Sequence, residues 1–293
     1  MRARPRVALV GAGRLARALA PRLLKAGYGP LHVLSPDGRS ARALARGRRG
    51  MSAAPLARPL PEDVRLVLLA VPDDRIPEAA RALAASSAPW RNRVALHTAG
   101  ALGLAPLAPL ARRGAAVGVL HPLRVFGSAD TVVPEGTLCR VEGGPRARRG
   151  AARLARDMGW VPVPISRPAL YHAGASLASN DVVALLDLAA AALVRAGVPR
   201  ARAVAGVLAL AEGALAQARA GGIPAALTGP AARGDARTVS RQLNALRGTP
   251  SASMAHAALS MHLVQMAERL GRLDARGRRS LQRVLAPVAR ART

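Results

Sequence analysis

Glycine and small residues recur at a short spacing near the start of the chain, in Gly11-Ala12-Gly13-Arg14-Leu15-Ala16. An apolar run precedes this segment, and a helical pattern of leucines follows it. In a strand–turn–helix unit, the first glycine permits the tight turn, the second lets a ligand approach the backbone, and the small third residue packs helix on strand. The N–H groups at the helix N-terminus favour phosphate. The segment predicts a dinucleotide site on Gly11, Gly13, Arg14 and Leu15; the alternative is an ordinary strand–turn–helix.

The end of the second apolar run, Leu31 to Leu34, bears on which dinucleotide would bind. An NAD site places a carboxylate there, whereas a 2′-phosphate needs a nearby arginine and no carboxylate. Ser35 occupies this position, Asp37 comes two residues later, and Arg39 follows. The pattern favours NADP(H), with Ser35 and Arg39 on the phosphate. The alternative is that the segment is only a turn and its arginine faces solvent.

Polar residues follow three further predicted strands, in Val71-Pro72-Asp73-Asp74, His97-Thr98-Ala99-Gly100 and His121-Pro122-Leu123-Arg124. Ligands of doubly wound sheets lie beyond the carboxyl ends of strands, so Val71, Pro72, Asp73 and Thr98 are expected at the coenzyme. A histidine at such a position can protonate a developing alkoxide, and an arginine can hold a carboxylate. The alternative is that His97 and His121 hydrogen-bond backbone groups at the strand ends.

The second half of the chain adds two polar groups to an Ala/Leu-rich background. His172, Ser176 and Asn180 are spaced by four residues, which predicts one stripe of a helix, facing either a polar cleft or another helix. In Thr228-Gly229-Pro230-Ala231-Ala232-Arg233-Gly234-Asp235, the first three residues predict a turn and Asp235 an N-cap. Arg233 then remains as a candidate anion binder.

Strand and helix patterns alternate as far as Ile165, and long helical patterns without clear strands follow. Alternation at this spacing predicts an α/β Rossmann-like fold with a doubly wound, mostly parallel sheet, followed by an all-α domain. We place the boundary near Ser166-Arg167-Pro168. The expected domains are 1–166, which binds NADP, and 167–293, which serves substrate binding and dimerisation.

Composition narrows the function classes. The formal charge of +28 predicts attraction to phosphates or nucleic acid, but the arginines are dispersed and aromatic residues make up only 2% of the chain, so no specific nucleic-acid binding is expected. The single cysteine, Cys139, excludes an intrachain disulfide, and the six histidines show no metal spacing, so no metal site is expected. We found no apolar run of membrane-spanning length, because Asp187 interrupts Val182 to Val194. A cytoplasmic protein without a membrane partner is expected.

Together, these segments resemble a family of oxidoreductase-like proteins with a Rossmann-like N-terminal domain and a C-terminal helical domain of unknown function. That family is related to 6-phosphogluconate dehydrogenase, ketopantoate reductase and pyrroline-5-carboxylate reductase. The resemblance rests on the glycine segment, on Ala70-Val71-Pro72-Asp73-Asp74, on the histidine segments, on Tyr171-His172 with Asn180, and on the segment from Leu227 to Asp235. It implies NADP(H) in the first domain, a substrate cleft between domains, and a homodimer formed through the helical domain.

Two positions depart from the pattern of these relatives. The related β-hydroxyacid dehydrogenases carry a catalytic lysine four residues before a helix asparagine, and here Ser176 stands four residues before Asn180. Lysine-based proton transfer is therefore excluded at this site, and His121 or His172 would have to substitute. Family members often have a histidine where this chain has Gln242, so Gln242 receives no role.

The leading hypothesis is an NADPH-dependent reductase of a small 2-oxo acid, similar to ketopantoate. His121 or His172 would protonate the alkoxide, Asn180 would orient the carbonyl, and Arg233 would hold the substrate carboxylate. A second hypothesis is reduction of a cyclic imino acid such as pyrroline-5-carboxylate, which needs less acid catalysis. A third is a non-catalytic NADP-binding or regulatory protein, or nonspecific binding of nucleic acid, suggested by the charge.

Overall fold

The computed structural model describes residues 4–86, 89–128 and 132–290, without the side chains of 287, 289 and 290. The chain forms two compact units, one ending at Ser176 and the other beginning at Leu177. The predicted boundary near Ser166 lies before a helix, Pro168–Leu177, that is grouped almost wholly with the first unit. Residues that follow the predicted boundary therefore belong to the same unit as the strand-end histidines.

One sheet of eight strands forms the centre of the first unit across its described residues, in the order β3-β2-β1-β4-β5-β6-β7-β8. Neighbouring strands are parallel except for β6 and β7, which are antiparallel. The predicted fold class, a doubly wound and mostly parallel sheet, is confirmed. The strands are Arg6–Val10 (β1), Leu31–Ser35 (β2), Met51–Pro55 (β3), Val64–Leu69 (β4), Val94–His97 (β5), Ala116–Pro122 (β6), Leu138–Gly143 (β7) and Val161–Pro164 (β8).

Helices cover both faces of this sheet. Alternate residues of each central strand point to opposite faces, so Val7 and Leu9 pack into one apolar layer and Ala8 and Val10 into the other. Both faces are therefore buried, and the central strands are almost continuously apolar. The helices of this unit are Arg14–Lys25 (α1), Arg39–Ala45 (α2), Ile76–Ala85 (α3), Ala108–Arg112 (α4), Pro145–Asp157 (α5) and Pro168–Leu177 (α6).

The sequence patterns did not predict β3 or α2. β3 reads Met-Ser-Ala-Ala-Pro, which has no β-branched or aromatic residue, and only Ala54 is buried. It forms because its backbone completes the ladder beside β2 at the edge of the sheet. The predicted strand through Val71 ends at Leu69, so Val71 and Pro72 belong to the following loop.

The second unit is helical throughout its described residues, as predicted. Its apolar core includes Val239, Leu243, Val264, Leu281 and Leu285. Its helices are Asn180–Arg195 (α7), Arg200–Gly221 (α8), Ala236–Ala245 (α9), Pro250–Arg269 (α10) and Ala275–Arg290 (α11). The predicted N-cap at Asp235 is confirmed, since its carboxylate accepts a hydrogen bond of 3.0 Å from the backbone N–H of Thr238.

The predicted stripe of His172, Ser176 and Asn180 on one continuous helix is wrong. Helix α6 ends at Leu177, and Asn180 is the first residue of α7. Ser179 has φ −133° and ψ −81°, outside the helical region. Serine and asparagine side chains compete with helical backbone hydrogen bonds, which explains why the chain turns here. Only His172 and Ser176 share a helix.

Two helical segments of the described chain are more apolar than the sequence reading allowed. Residues 168–195 and 200–221 are long and apolar enough to cross a membrane by length and composition alone, with mean hydropathies of 1.7 and 1.2. Asp187 therefore does not exclude the first segment. Few of their residues are buried, and Val183, Leu208 and Leu210 are well exposed. The second unit thus presents an apolar surface of a kind that soluble monomers seldom expose.

Gly118 of β6 lies where the backbones of the antiparallel strands β6 and β7 approach closely. A Cβ at this position would lie 2.4 Å from the carbonyl oxygen of Glu142 on β7. We expect Gly118→Ala to destabilise the first unit by about 2–4 kcal/mol, because backbone must move. Urea unfolding followed by tryptophan fluorescence measures this unit alone, since both tryptophans, Trp90 and Trp160, lie in it.

Gly150→Ala is the matched control. Gly150 lies in α5, and a Cβ there would make ordinary contacts of 3.5 Å and 3.7 Å with the methyl groups of Val94. We expect it to stabilise the unit by about 0.5–1 kcal/mol, because alanine favours helix. Equal effects of the two substitutions would contradict the steric account of Gly118.

Candidate functional site

Gly11 makes the turn between β1 and α1 possible. Its φ is +107°, and a Cβ would lie 2.3 Å from the carbonyl oxygen of Ala70, so no other residue fits without moving backbone. The turn is fixed on both sides, because Gly11 donates to the Leu34 carbonyl at 2.8 Å and Ala70 donates to the Val10 carbonyl at 2.7 Å. The loop thus takes its geometry from the two neighbouring strands.

Gly13 faces open space instead. A Cβ on Gly13 would meet no atom within 4 Å. Helix α1 starts at the next residue, without a side-chain cap and without an acidic residue in its first turn. The unpaired N–H groups of a helix N-terminus bind anions, so this opening suits a phosphate group.

A cavity of about 450 Å³ adjoins the glycine turn, and we call it the glycine-loop cavity. Its walls come from the carboxyl ends of β1, β2 and β4 and from α3. The lining residues are Val10, Gly11, Ala12, Gly13, Ser35, Pro36, Ser40, Leu56, Ala57, Ala70, Val71, Pro72, Arg75, Glu78, Ala79 and Ala82. Of the coenzyme residues predicted from sequence, the structure brings Gly11, Gly13, Ser35, Val71 and Pro72 to this cavity.

The other predicted coenzyme residues do not line the cavity. Arg14 donates to the Gly127 carbonyl at 3.4 Å, and Leu15 packs against the core. Asp73 begins the short helical turn after Pro72, and buried Thr98 donates to the Leu69 carbonyl at 3.2 Å. Arg39 is 85% exposed and pairs with Asp37 at 2.9 Å.

Ser35 and its surroundings are more specialised than the sequence indicated. Its side chain is only 2% exposed, and its Oγ accepts a hydrogen bond of 3.1 Å from the backbone N–H of Ala41. The hydroxyl proton remains free to be donated toward the cavity. Ser40 and Arg75 also line the cavity, and sequence reasoning missed both. Arg75 follows the strand-end segment Pro72-Asp73-Asp74, which was the available signal.

His97 has a structural role, because it hydrogen-bonds to backbone groups at the end of its strand. The backbone N–H of Ala99 donates to its Nδ1 at 3.1 Å, so its Nε2 carries the proton and donates to the Gly103 carbonyl at 2.9 Å. Burial lowers the pKa of His97, and the neutral ring holds the loop from Ala99 to Gly103. Both ring nitrogens are therefore occupied.

His121 instead bonds to a side chain. Its Nδ1 lies 2.9 Å from the hydroxyl of Tyr171 on α6, and the two rings meet edge to face with centroids 5.6 Å apart. Burial is the largest cause that lowers the pKa of His121 to about 4, followed by the charges of His172, Arg140 and His97. His121 is therefore neutral at pH 7.

Gly100 brings the two candidate proton donors together. A Cβ on Gly100 would lie 2.7 Å from Cδ2 of His172 and 2.9 Å from Nε2 of His121. The two rings thus stand over the same backbone atom within the first unit. Sequence reasoning named both histidines but gave no reason for the glycine between them.

Arg140 lies beneath this group and was missed by sequence reasoning. Its side chain is fully buried, one guanidinium nitrogen donates to the Gly100 carbonyl at 2.7 Å, and another pairs with Glu142. Arg140 stands opposite His121 in the β6–β7 ladder. A charged residue inside the apolar run of β7 was the signal that could have found it.

The remaining reactive groups have defined surroundings. Cys139 is buried, and burial raises the pKa of its thiol to about 12, which makes it a poor nucleophile. Among the residues that the structure describes, no three histidine, cysteine or acidic side chains are placed to share a metal ion.

The two candidates of the second unit are exposed. Asn180 begins α7, and Arg233 lies in the turn before α9. Arg233 lines a cavity of about 630 Å³ together with Arg272 and Arg276, at the start of α11. Three arginines around one cavity suit an anion, although Asp274 also lines it, and anion binding by Arg233 stays a prediction.

Family models account for most of the chain. Residues 1–122 match the Rossmann-like domain, and residues 137–263 match DUF2520, a domain of unknown function. The chain thus contains a Rossmann-like domain followed by a DUF2520 domain. This confirms the resemblance drawn from the sequence motifs. No curated protein matches the chain.

Solved structures share this fold at low sequence identity. Protein TM1727 from Thermotoga maritima is 23% identical with a TM-score of 0.72, covering 91% of this chain and 100% of that one. BF3122 from Bacteroides fragilis, described as a "putative NADP oxidoreductase", is 21% identical with a TM-score of 0.69, covering 89% and 98%. A pyrroline-5-carboxylate reductase from Coxiella burnetii is 13% identical with a TM-score of 0.53, covering 97% of each chain.

The low pKa of His121 predicts a pH effect on stability. An unfolded histidine binds its proton near pH 6.5, but His121 in the folded state does so only near pH 4. Its contribution to stability is therefore present above pH 6.5 and is lost as the pH falls toward 4. Between pH 7 and pH 4, we expect wild type to lose on the order of 2 kcal/mol more than His121→Gln. Urea unfolding of both at several pH values checks this, and parallel curves would show that His121 is not desolvated.

Proposed function

We propose that this protein is an NADPH-dependent reductase of a small carbonyl compound that carries a carboxylate. The observation that carries the proposal is the presence of two features at the carboxyl edge of one sheet. The glycine-loop cavity lies at β1, β2 and β4, and the His121–Tyr171 pair lies at the end of β6. β1 and β6 are three strand spacings apart, ~14 Å, and a dinucleotide binds along such an edge.

The cavity residues fit a dinucleotide. Gly13 leaves the space that a pyrophosphate needs, and the uncapped N-terminus of α1 offers N–H groups to it. Gly11, Gly13, Val71 and Pro72 would hold the coenzyme, with Arg14 at the first turn of α1. When bound, the reduced coenzyme supplies a hydride.

The end of β2 supports NADP(H) as the coenzyme. Ser35 replaces the carboxylate that would accept from a ribose hydroxyl, and Ser40 and Arg75 add a hydroxyl and a cation to the same cavity. Arg39 pairs with Asp37 at the surface, where an ion pair is weak and can be exchanged for a phosphate.

His121 is the proposed proton donor to the substrate oxygen. It is partly buried, its Nδ1 is engaged by Tyr171, and its Nε2 faces the space beside Gly100. A neutral imidazole donates through its remaining N–H, so the ring acts without becoming an imidazolium. His172 shares the Gly100 site and is the alternative donor.

We assign the binding of the substrate carboxylate to the second unit. The Arg233, Arg272 and Arg276 cluster suits a carboxylate, which arginine binds with two hydrogen bonds. Asn180 would orient the carbonyl. A ketopantoate-like 2-oxo acid carries a carboxylate for the arginines and a carbonyl group for Asn180.

A second candidate substrate is a cyclic imino acid. A protonated imine is already electrophilic, so its reduction does not require a proton from the enzyme. The neutral state of His121 and the presence of Ser176 where related enzymes carry lysine favour this candidate.

Coenzyme preference has a direct test in Arg39→Ala. We expect the Kd for NADPH to rise about 10- to 30-fold and the Kd for NADH to change less than about threefold, because only NADPH carries the 2′-phosphate. Fluorescence titration measures both. Arg81→Ala removes an exposed arginine from α3 away from the cavity and is the control. Equal weakening of both coenzymes would contradict the assignment of Arg39.

Turnover is tested by NADPH oxidation with ketopantoate, other short 2-oxo acids and pyrroline-5-carboxylate. On a 2-oxo acid, we expect His121→Gln to lower kcat about 100- to 1000-fold with little change in NADPH affinity. His32→Gln is the control, since His32 lies on β2 and bonds to Ser52. A parallel loss of coenzyme binding in His121→Gln would assign His121 to the fold instead. Tight NADPH binding without turnover of any compound would refute the reductase and favour a coenzyme-binding regulator.

A further inference from the structure

The hydroxyl of Tyr171 has one hydrogen-bond partner among the described residues, Nδ1 of His121 at 2.9 Å. A protonated phenol satisfies its donor by giving this hydrogen bond. Burial is the main cause that raises the pKa of Tyr171 to about 12, so the phenol is protonated at pH 7. Nδ1 is therefore the acceptor, and the proton of the neutral imidazole resides on Nε2.

Nε2 of His121 is the open end of the pair. It carries the ring proton, and it lies 2.9 Å from the point where a Cβ on Gly100 would stand. The absence of a side chain on Gly100 leaves this nitrogen accessible. The His121–Tyr171 pair thus has one end inside the protein, the Tyr171 hydroxyl, and one open end, Nε2 of His121, beside Gly100.

The surrounding charges favour an anion over a cation at this pair. Arg140 stands opposite His121 in the strand ladder, and its positive charge lowers the pKa of both His121 and Tyr171. His172 and His97 act on His121 in the same direction as Arg140. Burial, followed by Cys139, opposes ionisation of Tyr171 and outweighs the effect of Arg140 on its pKa. Glu142 pairs with Arg140 and neutralises part of its charge.

We propose that Tyr171 supplies the proton for the reduction and passes it through His121. This inference rests on the proposed reductase function. The carbonyl carbon gains the hydride, and the carbonyl π electrons move to oxygen. That oxygen takes the proton from Nε2 while Nδ1 takes the proton of Tyr171, so the ring stays neutral. Tyr171 is left as a phenolate, and the starting pair is restored when Nε2 takes a proton from water and Nδ1 returns its proton to Tyr171.

The direction of transfer follows from acid strengths. An alkoxide is the conjugate base of an acid about as weak as water, which is a far weaker acid than a phenol. A phenol with a pKa of about 12 is a stronger acid, so the transfer is downhill. Without Tyr171, a neutral His121 that gives up its Nε2 proton would become an imidazolate. Tyr171 therefore acts through His121: it is a positioning residue that replaces the proton that His121 gives to the substrate.

The test is the number of protons that move in single-turnover reduction of a 2-oxo acid. For wild type, we expect a plot of the rate against the deuterium fraction of the solvent to be curved, because two protons move in the same step. Tyr171→Phe should give a straight line and a kcat lowered about 10- to 100-fold, with unchanged NADPH affinity. A straight line in wild type, or the same curve in Tyr171→Phe, would overturn the relay.

Tyr28→Phe is the matched control, because it removes the hydroxyl of the other tyrosine in the chain. That hydroxyl bonds to Asp157 at 2.6 Å, outside the Gly100 site. Tyr28→Phe should lower stability and leave the curved dependence intact. A straight line in this variant would attribute the change to a general loss of structure and overturn the proposal.

A second readout does not depend on turnover. Nitrogen-15 NMR of histidine-labelled protein, with His121 assigned from the His121→Gln spectrum, gives the position of the ring proton. We expect the Nε2–H form in wild type and a mixture of both forms in Tyr171→Phe. An Nδ1–H form in wild type would overturn the relay even in an active enzyme. An Nε2–H form without turnover of any substrate would refute the reductase, and the relay with it, while leaving the geometry of the pair intact.

Discussion

A fully buried guanidinium holds the candidate site together. Removing an arginine from water is costly unless its N–H groups find partners, and Arg140 offsets part of this cost by bonding to the Gly100 carbonyl and to Glu142, whereas its Nε has no hydrogen-bond partner among the described residues. The same bonds fix the loop after β5, over which His121 and His172 stand. Burial is the main cause that lowers the pKa of His97 and of His121, and the positive charge of Arg140 lowers both further. One side chain thus fixes the loop at Gly100 and contributes to the neutral state of His97 and His121.

Parallel strand order explains why the glycine-loop cavity and the histidine site share one edge. The turn at Gly11 and the loop at Gly100 both follow carboxyl ends of strands, and parallel pairing brings such ends together. The β6–β7 pair departs from this rule. Because β7 runs antiparallel to β6, its amino end meets the carboxyl end of β6, and Arg140 arrives beside His121. A parallel β7 would have placed Arg140 near the opposite edge.

The sequence was most informative where one residue type has one physical role. The glycine spacing predicted the turn at Gly11, and apolar runs predicted the central strands. β3 was missed because its residues have no strand preference, and it depends on pairing with β2. The break at Ala178-Ser179 was missed because four-residue spacing does not show where a helix ends. The roles of Tyr171 and Arg140 depend on contacts between residues distant in sequence, and only the charge of Arg140 within the apolar run of β7 gave a local signal.

The residues around Gly100 are divided between the two segments that match family models. His97, Gly100 and His121 fall in the segment that matches the Rossmann-like domain, whereas Arg140, Tyr171 and His172 fall in the segment that matches DUF2520. All six lie in one compact unit. The family boundary therefore runs through the site and not around it. An exchange of either segment would therefore keep the site only where the incoming segment preserves the contact between His121 and Tyr171.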